Sequence, residues 1–155
     1  MVAALVYGRK VWIANVGDSR AYLLRGKQLR QLSKDHTFGG EMGAALGENW
    51  IGRHVITRAL GARPQVKVDV YPPVRLESED RIVLCTDGLT GALTDAEIGA
   101  IAGRYPAQEA AERLVQAANE KMADDNVSVI VVAARGASAP GSTIAKLIAA
   151  LTEPG

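Results

Sequence analysis

The sequence predicts an α+β domain in which antiparallel β-sheets form a sandwich flanked by helices. Three observations favour this class. First, short apolar segments joined by connections of hairpin length fill the first part of the chain. Second, two strongly apolar segments typical of buried strands come later. Third, two segments with a helical pattern lie between those two apolar segments. The 155 residues are enough for one domain with a substantial core.

The first part of the chain predicts an antiparallel meander. Strands are expected at residues 2–7, 11–16 and 20–25, and a fourth near 29–32. The connection Gly17–Asp18 between the second and third strands has the length of a hairpin turn, in which an aspartate is common.

A glycine-rich excursion over residues 33–53 separates this meander from the later strands and predicts a surface loop with a helical turn at 42–46. Order is expected to resume at 55–60. Residues 66–70 alternate as a half-buried strand does, and two prolines end it.

The second half predicts two buried strands, 81–86 and 127–134, with two helices between them. Thr94 and Glu97 have the spacing of a capping box for a helix over 95–102. Pro106 opens a longer helix with an apolar stripe at helical spacing, formed by Ala110, Ala111, Leu114, Val115, Ala118 and Met122. The domain is thus expected to span residues 1–135, followed over 136–155 by a linker and a short tail helix.

The composition excludes several classes of function. A net charge of +1 gives no reason to expect nucleic acid or an anionic membrane as a partner. No apolar segment has the length of a membrane span, and the start lacks the pattern of a signal peptide. The lone Cys85 excludes an internal disulfide, so we expect a cytoplasmic protein in which this thiol is an inert part of the core.

Carboxylates stand at the ends of three predicted strands. Asp87 directly follows one buried strand and Asp125 closely precedes the other, so the two would share a rim if these strands are antiparallel neighbours. Asp18 also leaves an apolar strand. Converging carboxylates without histidine or cysteine suit Mg²⁺ or Mn²⁺, but each aspartate could equally be a turn residue or a helix cap.

Five segments, in this order, carry a resemblance to a known family: Ile13–Tyr22, Gln31–His36, Ile56–Gly61, Leu84–Leu89 and Asp125–Ile130. At these residues the chain resembles the metal-dependent type 2C serine/threonine protein phosphatases of the bacterial type. The resemblance implies an αββα sandwich with a two-metal centre of Mn²⁺ or Mg²⁺. A metal-activated water there attacks the phosphorus of phosphoserine or phosphothreonine in a phosphoprotein, expected to be the target of a Ser/Thr kinase.

The resemblance also implies roles for individual residues. Asp87, with Gly88 in the adjacent turn, and Asp125 match metal ligands, whereas Asp18 matches the ligand of a third, more weakly held metal. The glycines of the excursion match a flap beside the active site that influences substrate choice: Gly39, Gly40, Gly43 and Gly47.

Two departures from the family pattern qualify this interpretation. An acid that helps to hold the third metal in many members is replaced by Gly91. The family's opening metal-binding segment has no counterpart, so the fold is expected to be incomplete at the N-terminus and the isolated chain inactive. Two alternatives therefore stay open: a non-catalytic, phosphatase-like binding or regulatory module, and a truncated product that folds poorly and exposes an apolar face.

Nearby polar residues are expected to be structural. His36 is interpreted as a hydrogen-bonding residue next to Asp35, and Arg20 as the partner of a nearby acid. Asn126 is expected to cap or brace the turn that carries Asp125.

Overall fold

The computed structural model describes residues 1–42 and 51–135. The predicted tail over 136–155, flap residues Gly43 and Gly47 and most of the helical turn at 42–46 lie outside the described residues. The strands are β1 Val2–Tyr7, β2 Lys10–Asn15, β3 Arg20–Arg25, β4 Gln28–Gln31, β5 Asp69–Val70, β6 Val74–Arg75, β7 Arg81–Cys85 and β8 Val129–Ala133. The helices are α1 Phe38–Met42, α2 Asp87–Ala92, α3 Asp95–Arg104 and α4 Ala107–Glu120, with a 3₁₀ turn at Ile51–His54.

The strands form two antiparallel sheets. In the first sheet, β1 pairs with β2 from Val2 opposite Asn15 to Tyr7 opposite Lys10, and the short strands β5 and β6 pair with opposite ends of β2. The second sheet has the order β4-β3-β7-β8. The predicted α+β class with paired antiparallel sheets is thereby confirmed.

The connection at Gly17–Asp18 differs from the prediction of a hairpin. β2 belongs to the first sheet and β3 to the second, so the chain crosses between layers here instead of pairing the two strands. The physical reason is that both strands face the same interior: Ile13 of β2 and Ala21 of β3 are buried in one core between the sheets. Gly17 adopts a φ of 106°, which favours glycine, at this crossing.

Two apolar cores occupy the two faces of the second sheet. The core between the sheets consists of Val11, Ile13, Ala21, Leu23, Leu76, Ile82 and Leu84. The opposite face packs on the helices through a second set: Tyr22, Leu24, Val83, Cys85, Leu89, Leu93, Ile98, Ala102, Leu114 and Ala118. Alternate residues of β3 and β7 therefore serve the two cores, as the period of a strand requires.

The helix that begins at Asp95 starts where the sequence predicts. The Thr94 backbone N–H donates to Glu97 Oε2 at 2.9 Å, and the Glu97 N–H donates to Thr94 Oγ1 at 3.3 Å, which completes the capping box. Pro106 is the N-cap of α4 and not its first helical residue.

Other elements differ from the expectation. Residues 55–60 form no strand, although Thr37 and Ile56 make an isolated bridge. The strand expected at 66–70 is reduced to Asp69–Val70, because β2 ends at Asn15, opposite Asp69, and offers no further residues to pair with 66–68.

The outer face of the first sheet carries a groove of exposed apolar side chains. Leu5 is 66% exposed, Tyr7 79% and Val70 68%, and Trp12 lies opposite Leu5 on the same face. β1 and β8 are edge strands within the described part of the chain. An exposed apolar face is the feature expected of the last alternative above, a truncated product that folds poorly. Among the described residues no helix has the length and apolar character that crossing a membrane requires.

Candidate metal centre

The last two strands of the second sheet, the buried β7 and the partly exposed β8, bring Asp87 and Asp125 to one rim. β7 and β8 are antiparallel neighbours, with Cys85 opposite Val129, so the end of one strand lies beside the start of the other. Asp87 follows β7 and opens α2, and Asp125 lies in the segment that leads into β8. Both residues line one open cleft of about 330 Å³.

Thr86 joins the two segments that carry these aspartates. Its backbone N–H donates to the Ser128 carbonyl at 3.1 Å, and its hydroxyl donates to the Asn126 carbonyl at 3.1 Å. The same hydroxyl accepts the Ser128 N–H at 2.9 Å. Sequence reasoning missed this residue, whose only signal is a hydroxyl side chain directly before Asp87.

Gly88 allows the two segments to approach closely. A Cβ atom at this position would lie 2.7 Å from the Asn126 carbonyl oxygen and 2.9 Å from that of Asp125. These are backbone atoms, so any larger residue would force α2 away from the segment that carries Asp125. Gly88 therefore acts by packing and contributes no side chain to the cleft.

The Asp125 carboxylate is oriented by its own chain. Its Oδ1 accepts the Asn126 backbone N–H at 2.6 Å. Asn126 thus braces the turn through its backbone N–H and C=O. Lys121 also lines the cleft, and its ammonium group is paired with Glu97 Oε1 at 2.6 Å.

Asp18 lies at the crossing between the two sheets and is half-buried. Burial first, and the nearby Asp87 carboxylate second, raise the pKa of Asp18 above its ordinary value. Arg20 of β3 pairs with Cys85 of β7, so Asp18 and Asp87 lie at the same end of these two strands, where their negative charges repel each other. A cation between them would relieve this repulsion.

Hydrogen bonds hold the segment around Asp18 to residues 33–36. Arg20 makes a bidentate ion pair with Asp35, in which Nη2 lies 2.7 Å from Oδ2 and Nε lies 3.1 Å from Oδ1. The predicted pairing of Arg20 with a nearby acid is confirmed. His36 is fully buried and structural, and its ring contacts Gly17 and Asp69, not its sequence neighbour Asp35.

The candidate ligands are of the chemical type that a hard divalent cation binds, but in the described part of the chain there are too few of them for a complete site. Asp18, Asp87 and Asp125 offer only carboxylate oxygens, which Mg²⁺ and Mn²⁺ prefer. Across residues 1–42 and 51–135, no three histidine, cysteine, aspartate or glutamate side chains come together as a metal-binding group. Further ligands would be needed to complete a centre here.

The predicted flap glycines Gly39 and Gly40 lie in α1. A Cβ atom at Gly40 would collide with the backbone carbonyl of Asp35, so this glycine lets α1 pack against the segment next to Arg20. Glu41 at the end of α1 accepts hydrogen bonds from Arg58 at 2.9 and 3.1 Å. Gly91 lines the cleft and has no atom within 4 Å of a Cβ position.

Cys85 lies at the end of β7 and is only 3% exposed. Burial raises the pKa of its thiol to about 12, so at neutral pH the thiolate is almost absent. The prediction that this thiol belongs to the core is confirmed.

Comparison with known proteins agrees with the fold and the motifs. A family model described as protein phosphatase 2C matches residues 1–39. The serine/threonine phosphatase Stp of Listeria innocua is 35% identical over 139 residues, which are 85% of this chain and 55% of the relative. The chain thus spans about half the length of the curated relatives it matches.

Two solved structures show the same similarity. The serine/threonine phosphatase Stp1 of Staphylococcus aureus has a TM-score of 0.78 at 32% identity, over 87% of this chain and 56% of that protein. The catalytic domain of the phosphatase PstP, solved in complex with two manganese ions, has a TM-score of 0.71 at 32% identity, over 84% of this chain and 56% of that domain. Over residues 1–39 the chain thus matches the protein phosphatase 2C family model, and over most of its length it is similar in sequence and fold to about half of these bacterial serine/threonine phosphatases.

Proposed function

We propose that this chain supplies Asp87 and Asp125 to the metal centre of a serine/threonine protein phosphatase. The observation that carries the proposal is the cleft at the paired ends of β7 and β8, which both carboxylates line. The substrate would be a phosphoprotein carrying phosphoserine or phosphothreonine, and the reaction would be hydrolysis of that phosphate ester.

Five residues in and around the cleft have a part in this proposal. Asp87 and Asp125 would hold Mn²⁺ or Mg²⁺, and Asp18 would contribute to a weaker additional site. When bound, such an ion lowers the pKa of water and neutralises charge on a phosphoryl group. Gly88 and Thr86 keep the two ligand-bearing segments together, so these residues fix the spacing of the carboxylates without contacting substrate.

The proposal requires ligands beyond the described residues, because Asp87 and Asp125 alone do not complete a metal-binding group. We propose that the remaining ligands come from the portion of the family domain that this chain does not span. The chain by itself is then expected to bind Mn²⁺ weakly and to show essentially no hydrolysis of p-nitrophenyl phosphate.

The lack of a complete metal-binding group among the described residues also favours a second function. A phosphatase-like module that binds a partner without catalysis would need the fold but no working metal centre. The incomplete ligand group among the described residues is the observation in its favour.

A Mn²⁺ titration followed by amide NMR separates the two functions. The phosphatase proposal predicts selective paramagnetic broadening at Asp87 and Asp125, abolished by Asp87→Asn and by Asp125→Asn. Glu112→Gln removes one exposed carboxylate from α4 as a control and should leave the broadening unchanged. No selective broadening in the unsubstituted chain would overturn the proposal and favour the binding module. Robust Mn²⁺-dependent hydrolysis lost in Asp87→Ala would show that this chain holds a complete centre.

A further inference from the structure

His36 binds both backbone groups of the glycine that precedes Asp18. The Gly17 backbone N–H donates to His36 Nδ1 at 3.1 Å, and the His36 backbone N–H donates to the Gly17 carbonyl at 3.0 Å. Both backbone groups of Gly17 are therefore bound by one residue, directly before Asp18. Asn15 adds a third contact, because its Nδ2 donates to the same carbonyl at 3.0 Å.

These contacts determine the proton position on the imidazole. A backbone N–H can only donate, so Nδ1 must accept and the proton lies on Nε2. Nε2 then donates to Asp69 Oδ2 at 3.1 Å. The ring is completely buried and both of its nitrogens are used, which leaves it no other orientation with the same contacts.

The contacts continue from Asp69 towards α1. Asp69 Oδ1 accepts a hydrogen bond from Arg58 Nη1 at 2.9 Å, and Arg58 also binds Glu41 of α1. Arg58 and, to a smaller extent, His36 lower the pKa of Asp69 against the opposing effect of burial. An ionised Asp69 is the acceptor that the Nε2–H tautomer requires.

We propose that His36, in its Nε2–H tautomer, is a positioning residue that fixes the Gly17–Asp18 segment and so aims Asp18 at the rim that carries Asp87. The Asp69–Arg58–Glu41 contacts connect this segment to α1, which holds Gly39 and Gly40. The part of the proposal that concerns metal binding rests on the proposed function above. His36 itself contacts neither substrate nor metal in this role.

Two substitutions separate the two ring nitrogens. His36→Asn retains an acceptor oxygen on Cγ, where Nδ1 is attached, and so retains the Gly17 contact while losing Asp69. His36→Gln places its amide nitrogen near the Nε2 position and retains Asp69 while losing the acceptor for Gly17. If His36 acted only by filling space in the core, both substitutions would loosen the Gly17–Asp18 segment to a similar extent.

Amide hydrogen exchange in the full chain is the first measurement. His36→Gln should speed exchange of the Gly17 amide by roughly tenfold or more, the effect of losing one hydrogen bond, whereas His36→Asn should stay within about threefold of the unsubstituted chain. The Leu114 amide in the buried helical core reports global stability in the same spectra. Correcting for it separates local loosening from general destabilisation. Equal Gly17 protection in both variants after this correction would overturn the proposal.

The second measurement is broadening by Mn²⁺ alone. His36→Gln should reduce broadening at Asp18 relative to Asp87, and His36→Asn should preserve the ratio. In His36→Gln, broadening at Asp87 and Asp125 could persist with the ratio of Asp18 broadening to Asp87 broadening unchanged. This result would refute the positioning role and leave the proposed function standing. If the unsubstituted chain shows no broadening, the proposed function falls, and the Gly17 exchange rates still decide whether His36 fixes this segment. The ¹⁵N shifts of the imidazole test the tautomer directly, and a proton on Nδ1 would contradict it.

Discussion

Gly88 leaves no room for a side chain in the candidate centre, and its substitution gives the sharpest prediction. In Gly88→Ala the new methyl group would lie 2.7 Å from the Asn126 carbonyl oxygen and 2.9 Å from the Asp125 carbonyl oxygen. Neither backbone oxygen can rotate away as a flexible side chain could. Either α2 shifts or the segment 125–126 does, and both movements separate the two candidate ligands.

The magnitude follows from two opposing effects. Overpacking of this kind costs about 1–3 kcal/mol, while alanine stabilises a helix relative to glycine by about 1 kcal/mol. A net loss of up to about 2 kcal/mol in the free energy of unfolding is therefore expected, or up to about 8 °C in Tm for a chain of this size.

Gly91 supplies a matched control in the same helix. A Cβ atom there meets nothing within 4 Å, so Gly91→Ala should show only the helix-propensity effect and stabilise by about 0.5–1 kcal/mol. Urea denaturation of both variants, with the slope m held in common, gives the comparison. Our account of Gly88 is refuted if the two alanine variants have the same stability, because the close approach would then carry no energy.

Two charge substitutions give opposite pH dependences. The pKa of Asp18 is raised, by burial and then by Asp87, so its favourable contribution is present below the ordinary pKa and lost as pH rises through the folded value. Asp18→Asn should therefore stabilise the chain at pH 7 by roughly 0.5 kcal/mol after solvent screening, with no gain below about pH 4. Thermal unfolding of both proteins from pH 3 to 8 checks this. Equal stability of the variant and the unsubstituted chain at pH 7 would contradict it. Burial alone would raise the pKa of Asp80, but hydrogen bonds from Arg25 and the Glu77 N–H lower it. The contribution of Asp80 to stability is therefore present above its ordinary pKa and is lost as pH falls through the folded value. Asp80→Asn should lower the free energy of unfolding by roughly 1–2 kcal/mol at neutral pH and by little in strong acid. Urea midpoints of the variant and the unsubstituted chain at both pH values measure this loss. A loss that is the same at both pH values would count against a lowered pKa of Asp80.

The features that could be predicted from the sequence are those with a local cause. The capping box at Thr94 depends on two residues three positions apart, and α3 starts there as expected. The strands 81–86 and 127–134 were predicted from their apolar character alone, and the structure pairs them as β7 and β8 with slightly shorter bounds. Only β7 is buried as predicted, because β8 lies at the edge of the sheet and is partly exposed. Their pairing brings Asp87 and Asp125 to the same rim.

The features that the sequence could not predict depend on contacts between distant segments. Nothing near residues 16–20 distinguishes a hairpin from a crossing between sheets, because the difference lies in the two layers that bury Ile13 and Ala21. Helix α2 contains two glycines, which disfavour helix locally, and it forms where Gly88 packs on the segment at Asn126. The bonds from His36 to Gly17 and Asp69 likewise join residues 19 and 33 positions apart.

The burial of Cys85 has a practical consequence for studying this molecule. Because the only native sulfhydryl is shielded within β7, maleimide reagents should pass over it under ordinary labelling conditions. A cysteine introduced at an exposed position such as Lys27 would then be the sole attachment point for a fluorophore or spin label. This chain is thus already suited to site-specific spectroscopy, without first removing a thiol from its core.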